Sequence, residues 1–356
     1  MKLIYKTLLI LLFVPLTIFA SEKGKYTRNK VINKEFKVSK NATLEISNKY
    51  GNVNIITSNS NQIIIKVSIT TNGNDEEKVE QRLDQIDVDF DASSSFVSAK
   101  TIIEKNTSYW SWFGKRNSIN IEINYQIQMP ITNNLEVSND YGGVNLDKIE
   151  GTTKFDVDYG KLNIGELLNS KNNINIDYTN KSQIDFMKDG DINADYSTLH
   201  IERSGRTNLN ADYSNISFEM VTNLDFNCDY GSLKIDNAGN AFGNTDYLSI
   251  KINKLSGSGD FDVDYGGIHI DNLGENFKTL KVKAEYTSVK VGIPDNANFN
   301  ITASTSYGGF SYRDGFTFNK EIKENTSKYY EGYYGTENSE SSIHIKTSYG
   351  SISLKN

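Results

Sequence analysis

Residues that cross-link, kink or ligate are nearly missing from this chain. Among 356 residues there are one cysteine, three prolines and three histidines. The lone Cys228 excludes an internal disulfide, so stability must come from packing and backbone ladders. His200, His269 and His344 are too scattered to build a zinc site, which takes three or four close ligands. No Gly-x-Ser-x-Gly elbow, phosphate loop or dinucleotide fingerprint occurs. Basic charge is also short: 38 Lys and Arg face 45 Asp and Glu, a net charge of −7. That balance argues against nucleic acid, whose phosphates need a basic face, and against an anionic membrane surface. What is plentiful is Asn, Thr, Val, Ile and Tyr in alternation, a composition that suits strands.

The first twenty residues read as an export signal. Lys2 and Lys6 give a basic start, residues 8–19 are almost wholly apolar, and Ala20 offers a small residue for cleavage. Ile18 is larger than usual two places before a cut, so a retained anchor is the alternative. The apolar run is short for a membrane span. Removing residues 1–20 makes the chain two charges more acidic and leaves no transmembrane span. The expected location is the periplasm, the outer-membrane surface or the exterior.

The chain is built on a repeat centred on Asp-Tyr. Tyr141, Tyr159, Tyr178, Tyr196, Tyr213, Tyr230, Tyr247 and Tyr265 recur every 17 to 19 residues, each after an aspartate. Tyr286, Tyr307 and Tyr349 continue the series at 21 or twice 21, and Tyr50 is an outlying copy. Before the tyrosine apolar residues alternate, as in Phe155 and Val157. After it the parity shifts, as in Leu162 and Ile164. Period two marks a strand with one buried face, and the shift marks a turn at the tyrosine. Gly at the next position suits such a turn, though Thr179, Ser197, Ser214, Leu248 and Thr287 replace it. A third inward position follows about eight residues on: Ile149, Leu167, Phe186, Val221, Leu255 and Leu273. One such unit cannot bury its apolar face alone, so neighbours must stack. The expected fold is all-β, a parallel β-solenoid or β-helix of 17–21-residue coils, right-handed by the default for parallel crossovers.

The expected organisation is a polar leader over 21–35, a β-rich capping unit with one short helix over 36–130, and solenoid coils over 131–356. In the cap, residues 75–86 read as the helix, and long strands on either side of residues 107–117 suggest a projecting hairpin. Residues 313–342, rich in Tyr and Gly, read as an insertion. Asn48-Lys49-Tyr50-Gly51-Asn52-Val53, Asn139-Asp140-Tyr141-Gly142-Gly143-Val144 and Thr347-Ser348-Tyr349-Gly350-Ser351-Ile352 resemble a bacterial family of candidate adhesins of unknown function, exported proteins made of β-strand repeats. The resemblance covers most of the chain beyond residue 20. It implies adhesion and brings no catalytic residues.

Three sets of residues are candidates for function. Asp158, Asp177, Asp195, Asp212, Asp229, Asp246 and Asp264 have the outward parity and form a column with Asp140. Such a column either bonds turn N–H groups or binds Ca²⁺, which takes oxygen ligands. No calcium-repeat signature is present and no other cofactor is expected. The tyrosine column is expected in the core or at a corner, with an exposed sugar-binding strip as the alternative. Trp110, Trp112 and Phe113 on the predicted hairpin, and Tyr329, Tyr330, Tyr333 and Tyr334 in the insertion, are either folded back as caps or exposed for partner contact. The function expected is a non-enzymatic adhesin or binding scaffold, its partner a surface glycan or envelope protein. A carbohydrate-active β-helix enzyme and a structural envelope spacer are the alternatives.

Overall fold

The computed structural model describes residues 24–104 and 119–355. Within them the chain is all-β apart from one short helix. Alternation along each strand is what builds the architecture. In Thr153–Asp158, Phe155 and Val157 are buried while Lys154 and Asp156 face out. Lys161–Leu167 repeats the pattern with Leu162 and Ile164. Strands before a tyrosine pair in parallel with the same strands of neighbouring coils: Phe155 lies opposite Ile174, and Leu209 opposite Phe226. Strands after the tyrosine form a second parallel ladder, with Leu162 opposite Val144 and Ile250 opposite Ile268. The two ladders face one another, and one apolar core runs between them along the stack.

Turns at the tyrosines join the ladders. Every repeat tyrosine has a positive φ, from 49° at Tyr286 to 63° at Tyr50. The left-handed residue is therefore the tyrosine and not the glycine after it, which corrects the sequence expectation. Since the next residue carries no such demand, Ser or Thr can stand there. Ser197 and Ser214 use the position to donate from Oγ to the Asp195 and Asp212 carbonyls of their own turns, at 2.8 and 2.9 Å. Lys181, at φ 57°, absorbs one extra residue in its coil. That shift carries Met187, not Phe186, into the third inward position; Met187 is buried and Phe186 half-buried.

Core volume is matched between layers. Phe226 and Phe261 lie in one inward column with Gly243 between them, in register with both. A Cβ on Gly243 would meet the Phe226 ring at 2.6 Å. The glycine thus makes room for two aromatic rings, whose centroids are 6.1 Å apart. Cys228 is buried in the next column, and burial pushes its thiol up to about 12. A thiol held protonated in this way is a small core residue, not a nucleophile.

Both ends are covered. At the first end β1 (Tyr26–Lys37), β2 (Thr43–Lys49), β3 (Val53–Ser58), β4 (Gln62–Gly73), β5 (Ile86–Ala92), β6 (Phe96–Ile103) and β7 (Asn120–Pro130) form the cover, and helix α1 (Glu76–Asp84) packs on β4, β1 and β5. Asp75 caps α1 by accepting from the Lys78 N–H at 3.3 Å. β1 runs antiparallel to β4, so residues 26–37 are a sheet edge rather than a polar leader. The expected hairpin of β6 with β7 is not formed. β6 adds in parallel to β2, and β7 in parallel to β3, so they extend different ladders. The two strands thus lie on opposite sides of the core.

At the other end the order in space departs from the order in sequence. Ser342–Ser348 lies between Thr279–Glu285 and Phe299–Ser306, parallel to both. The last coil is inserted between its two predecessors. Ser327–Tyr334 then pairs antiparallel with Phe299–Ser306 and with Phe316–Lys323, and this hairpin closes the end.

Gly243→Ala should cost about 1–3 kcal/mol by overpacking Phe226, measured as a lower urea midpoint at unchanged slope. Tyr196→Phe should stay within about 0.5 kcal/mol of wild type. Tyr196→Val, β-branched at positive φ and without a ring to stack, should lose about 2–3 kcal/mol. Equal stability of these two variants would show that neither ring nor backbone matters there.

Candidate functional site

The turns place their tyrosines on one edge of the stack. Asp and Tyr both point outward in succession there, which is the step that changes the strand parity. Rings stack coil on coil from Tyr50 through Tyr141, Tyr159, Tyr178, Tyr196, Tyr213, Tyr230, Tyr247, Tyr265, Tyr286 and Tyr349 to Tyr307. Centroids are 4.7 to 5.4 Å apart, with planes within 11° of parallel. This column is not core: most of its rings are about half exposed, from 42% at Tyr50 to 62% at Tyr307. The reason is geometric. A ring stacked on both faces keeps its edge and hydroxyl in water, and the positive φ turns the side chain away from the core.

The stack therefore presents ring edges and a file of hydroxyls, while its ring faces are mostly covered. Only Tyr50 and Tyr307 have a face without a stacked ring among the described residues. Desolvation first, then neighbouring tyrosines and aspartates, raise the hydroxyls of Tyr159, Tyr196, Tyr230 and Tyr265 above the usual phenol value. They remain protonated donors at neutral pH.

Beside the tyrosines runs the aspartate file. Asp195, Asp229 and Asp264 each accept the backbone N–H of the next coil, at 3.1, 2.8 and 3.1 Å. Lys49 ends the file with an ion pair to Asp140 at 2.6 Å. Partial desolvation, then like-charged neighbours, hold Asp158, Asp177, Asp212 and Asp246 above the usual carboxylate range. The carboxylates stand in line and do not converge. Among the described residues no three His, Cys, Asp or Glu side chains form a group able to hold a metal ion. His200 reaches Ser217 at 2.9 Å and His269 reaches Asp271 at 3.0 Å, so each has a local partner.

The insertion folds back as a cap. Tyr330 and Tyr334 are buried, at 3% and 6% exposure. Tyr330 lies 4.6 Å from Phe310 and 5.2 Å from Phe318, and Tyr334 5.5 Å from Phe299. These two rings cover the end of the core and do not offer a contact surface; Tyr329 and Tyr333 keep part of their rings in solvent. Trp110, Trp112 and Phe113 lie outside the described residues.

The Toastrack DUF4097 family matches residues 41–355. The chain belongs to that family. No curated protein matches it. Among solved structures it is similar to a candidate cell adhesion protein from Clostridium sporogenes, 12% identical, covering 92% of this chain and 99% of that one with a TM-score of 0.18. It is also similar to a candidate adhesin from Parabacteroides merdae, 10% identical, covering 76% and 94% with a TM-score of 0.32. A third is a candidate lipid binding protein from Parabacteroides distasonis, 11% identical, covering 75% and 94% with a TM-score of 0.26. Among the described residues no helix is long and apolar enough to cross a membrane.

The aspartate file makes stability depend on pH in an unusual sense. A carboxylate raised in the folded state binds its proton more tightly there than in the unfolded chain. Its contribution is complete below the unfolded value of 3.8 and is lost as pH rises through the raised folded value. Asp75 and Asp87, lowered chiefly by the backbone N–H groups of Lys78 and Val88, act oppositely, but only below 3.8. The triple variant Asp177→Asn, Asp212→Asn, Asp246→Asn should therefore melt above wild type at pH 7, with the gap closing toward pH 4. Parallel melting curves across that range would show that the file carries no such coupling.

Proposed function

We propose that this Toastrack protein is an exported, non-catalytic binding scaffold whose tyrosine edge engages a long, repetitive surface glycan. The unbroken file of half-exposed tyrosines carries this reading. A chain seeking only core packing would bury those rings, whereas here their edges and hydroxyls repeat at one coil rise along the stack. Hydroxyl donors flanked by acceptor carboxylates suit a polymer that is rich in hydroxyls and is not anionic. In this reading the coils wind right-handed, one 17–21-residue repeat per coil. The basic start, apolar run and Ala20 support export to the cell envelope or surface.

The test is a polysaccharide array read for both retention and reducing-end release. Tyr178→Phe, Tyr196→Phe, Tyr213→Phe together keep the stack and remove three hydroxyls. Retention should fall in this variant while its melting temperature holds. Full retention would sink the proposal, and reducing ends released by the wild type would make the chain an enzyme.

A further inference from the structure

A second surface, on the ladder that follows the tyrosines, carries a different feature. Two outward columns run side by side there. In the later coils opposite charges and hydrogen bonds bridge the columns. Lys234 pairs with Asp236 at 3.4 Å, Lys251 and His269 pair with Asp271 at 3.4 and 3.0 Å, and His200 lies 3.6 Å from Glu219. In the first four coils the same strip carries no ion pair among the described residues, and one hydrogen bond, from Gln183 to Asp185, bridges it. Its near column is Asn54, Asn145, Asn163 and Gln183, and its far column is Ile56, Asp147, Gly165 and Asp185. Together they line a cleft of about 640 Å³.

Gly165 makes the gap. It has no side chain in a column where Asp147 and Asp185 stand one coil away on either side. A Cβ there would meet the Asp147 carbonyl oxygen at 2.0 Å, so the backbone path at residue 165 admits only glycine. The near wall is preorganised. Asn163 donates to Asn145 at 2.8 Å, and Asn145 donates to Asn54 at 2.9 Å. This chain of amides ends on the Asn163 Oδ1, which accepts no hydrogen bond among the described residues. Gln183 donates to Asp185 at 2.8 Å, fixing that carboxylate across the gap. Asp147 is tied to the Thr57 N–H at 3.0 Å. At one end Ile56 is 58% exposed, an aliphatic surface beside fixed polar groups.

We propose that the cleft over Gly165 is a binding site for a neutral saccharide. Fixed acceptors and amide donors match the hydroxyls of a sugar ring, and Ile56 matches its C–H face. No lysine, arginine or histidine lines the cleft, so nothing there would neutralise an acidic sugar. The site stands apart from the tyrosine edge and does not depend on it.

The full chain would be titrated with maltose, cellobiose, N,N′-diacetylchitobiose and digalacturonate, using calorimetry and ligand-observed NMR. At least one neutral disaccharide should bind at millimolar concentration and digalacturonate should not. Asn163→Ala with Asp185→Ala should weaken that binding by about tenfold or more, because the Asn163 Oδ1 and the Asp185 carboxylate are the acceptors offered to the sugar hydroxyls. Should the double variant fold poorly, Ile56→Ala, which loses only an exposed side chain, should weaken it as well. Tyr196→Phe should leave it unchanged, so loss of the tyrosine-edge reading and loss of this one read out separately. Absence of binding by all three neutral sugars, equal binding of digalacturonate, or affinity untouched by the cleft variants would overturn the proposal.

Discussion

Each coil passes from one ladder to the other through a tyrosine held in the left-handed region. For an L-residue other than glycine that conformation costs on the order of 1–2 kcal/mol. A stacked aromatic pair contributes about 0.5–1.5 kcal/mol beyond the area it buries. Each repeat tyrosine N–H except that of Tyr307 also bonds the carbonyl before the neighbouring coil's tyrosine, as Tyr196 does to Asp212 at 2.9 Å. An isolated turn of this kind has neither compensation. The turn holds where a neighbouring coil lies against it, on one face at Tyr50 and Tyr307 and on both faces elsewhere, so the strained backbone and the stacked rings support one another. That dependence couples nearest neighbours along the whole stack, as in other repeat proteins. It also explains why both ends carry covers of different design.

Much of this was legible in the sequence. Parity located the inward residues of nearly every coil, and tyrosine spacing located the coils. The side on which the tyrosines lie was not legible by the same rule. Tyr159 has the parity of Phe155 and Val157, which are buried, and a large aromatic ring with that parity reads as core. The signal that could have decided it lies one residue later. Ser197 and Ser214 share the parity of the inward residues that follow them, so the break falls on the Asp-Tyr pair itself. Two successive outward residues then follow, and the tyrosine is one of them.

Other misreadings have equally local causes. Residues 26–37 are polar because they form an outer edge strand, and polarity alone does not separate an edge from a leader. β6 and β7 look like a hairpin because they are long and adjacent in sequence. Their partners, β2 and β3, are not adjacent to them in sequence, and nothing in the intervening residues shows that. The cleft over Gly165 was also out of reach. It depends on which side chains of separate coils share a column, and that requires the register to within one residue. The extra residue at Lys181 is enough to displace the count.

The place of the last coil has a bearing on how the molecule is completed. In most repeat stacks a shortened chain loses its outermost layer and the remainder stays whole. Here the segment closest to the end of the sequence is an interior layer, held between strands that precede it by about forty and sixty residues. A chain that stops before residue 342 would leave a slot beneath its own lid, with two parallel strand edges open to any other strand. Closure of the core between the two ladders thus waits on residues 342–354.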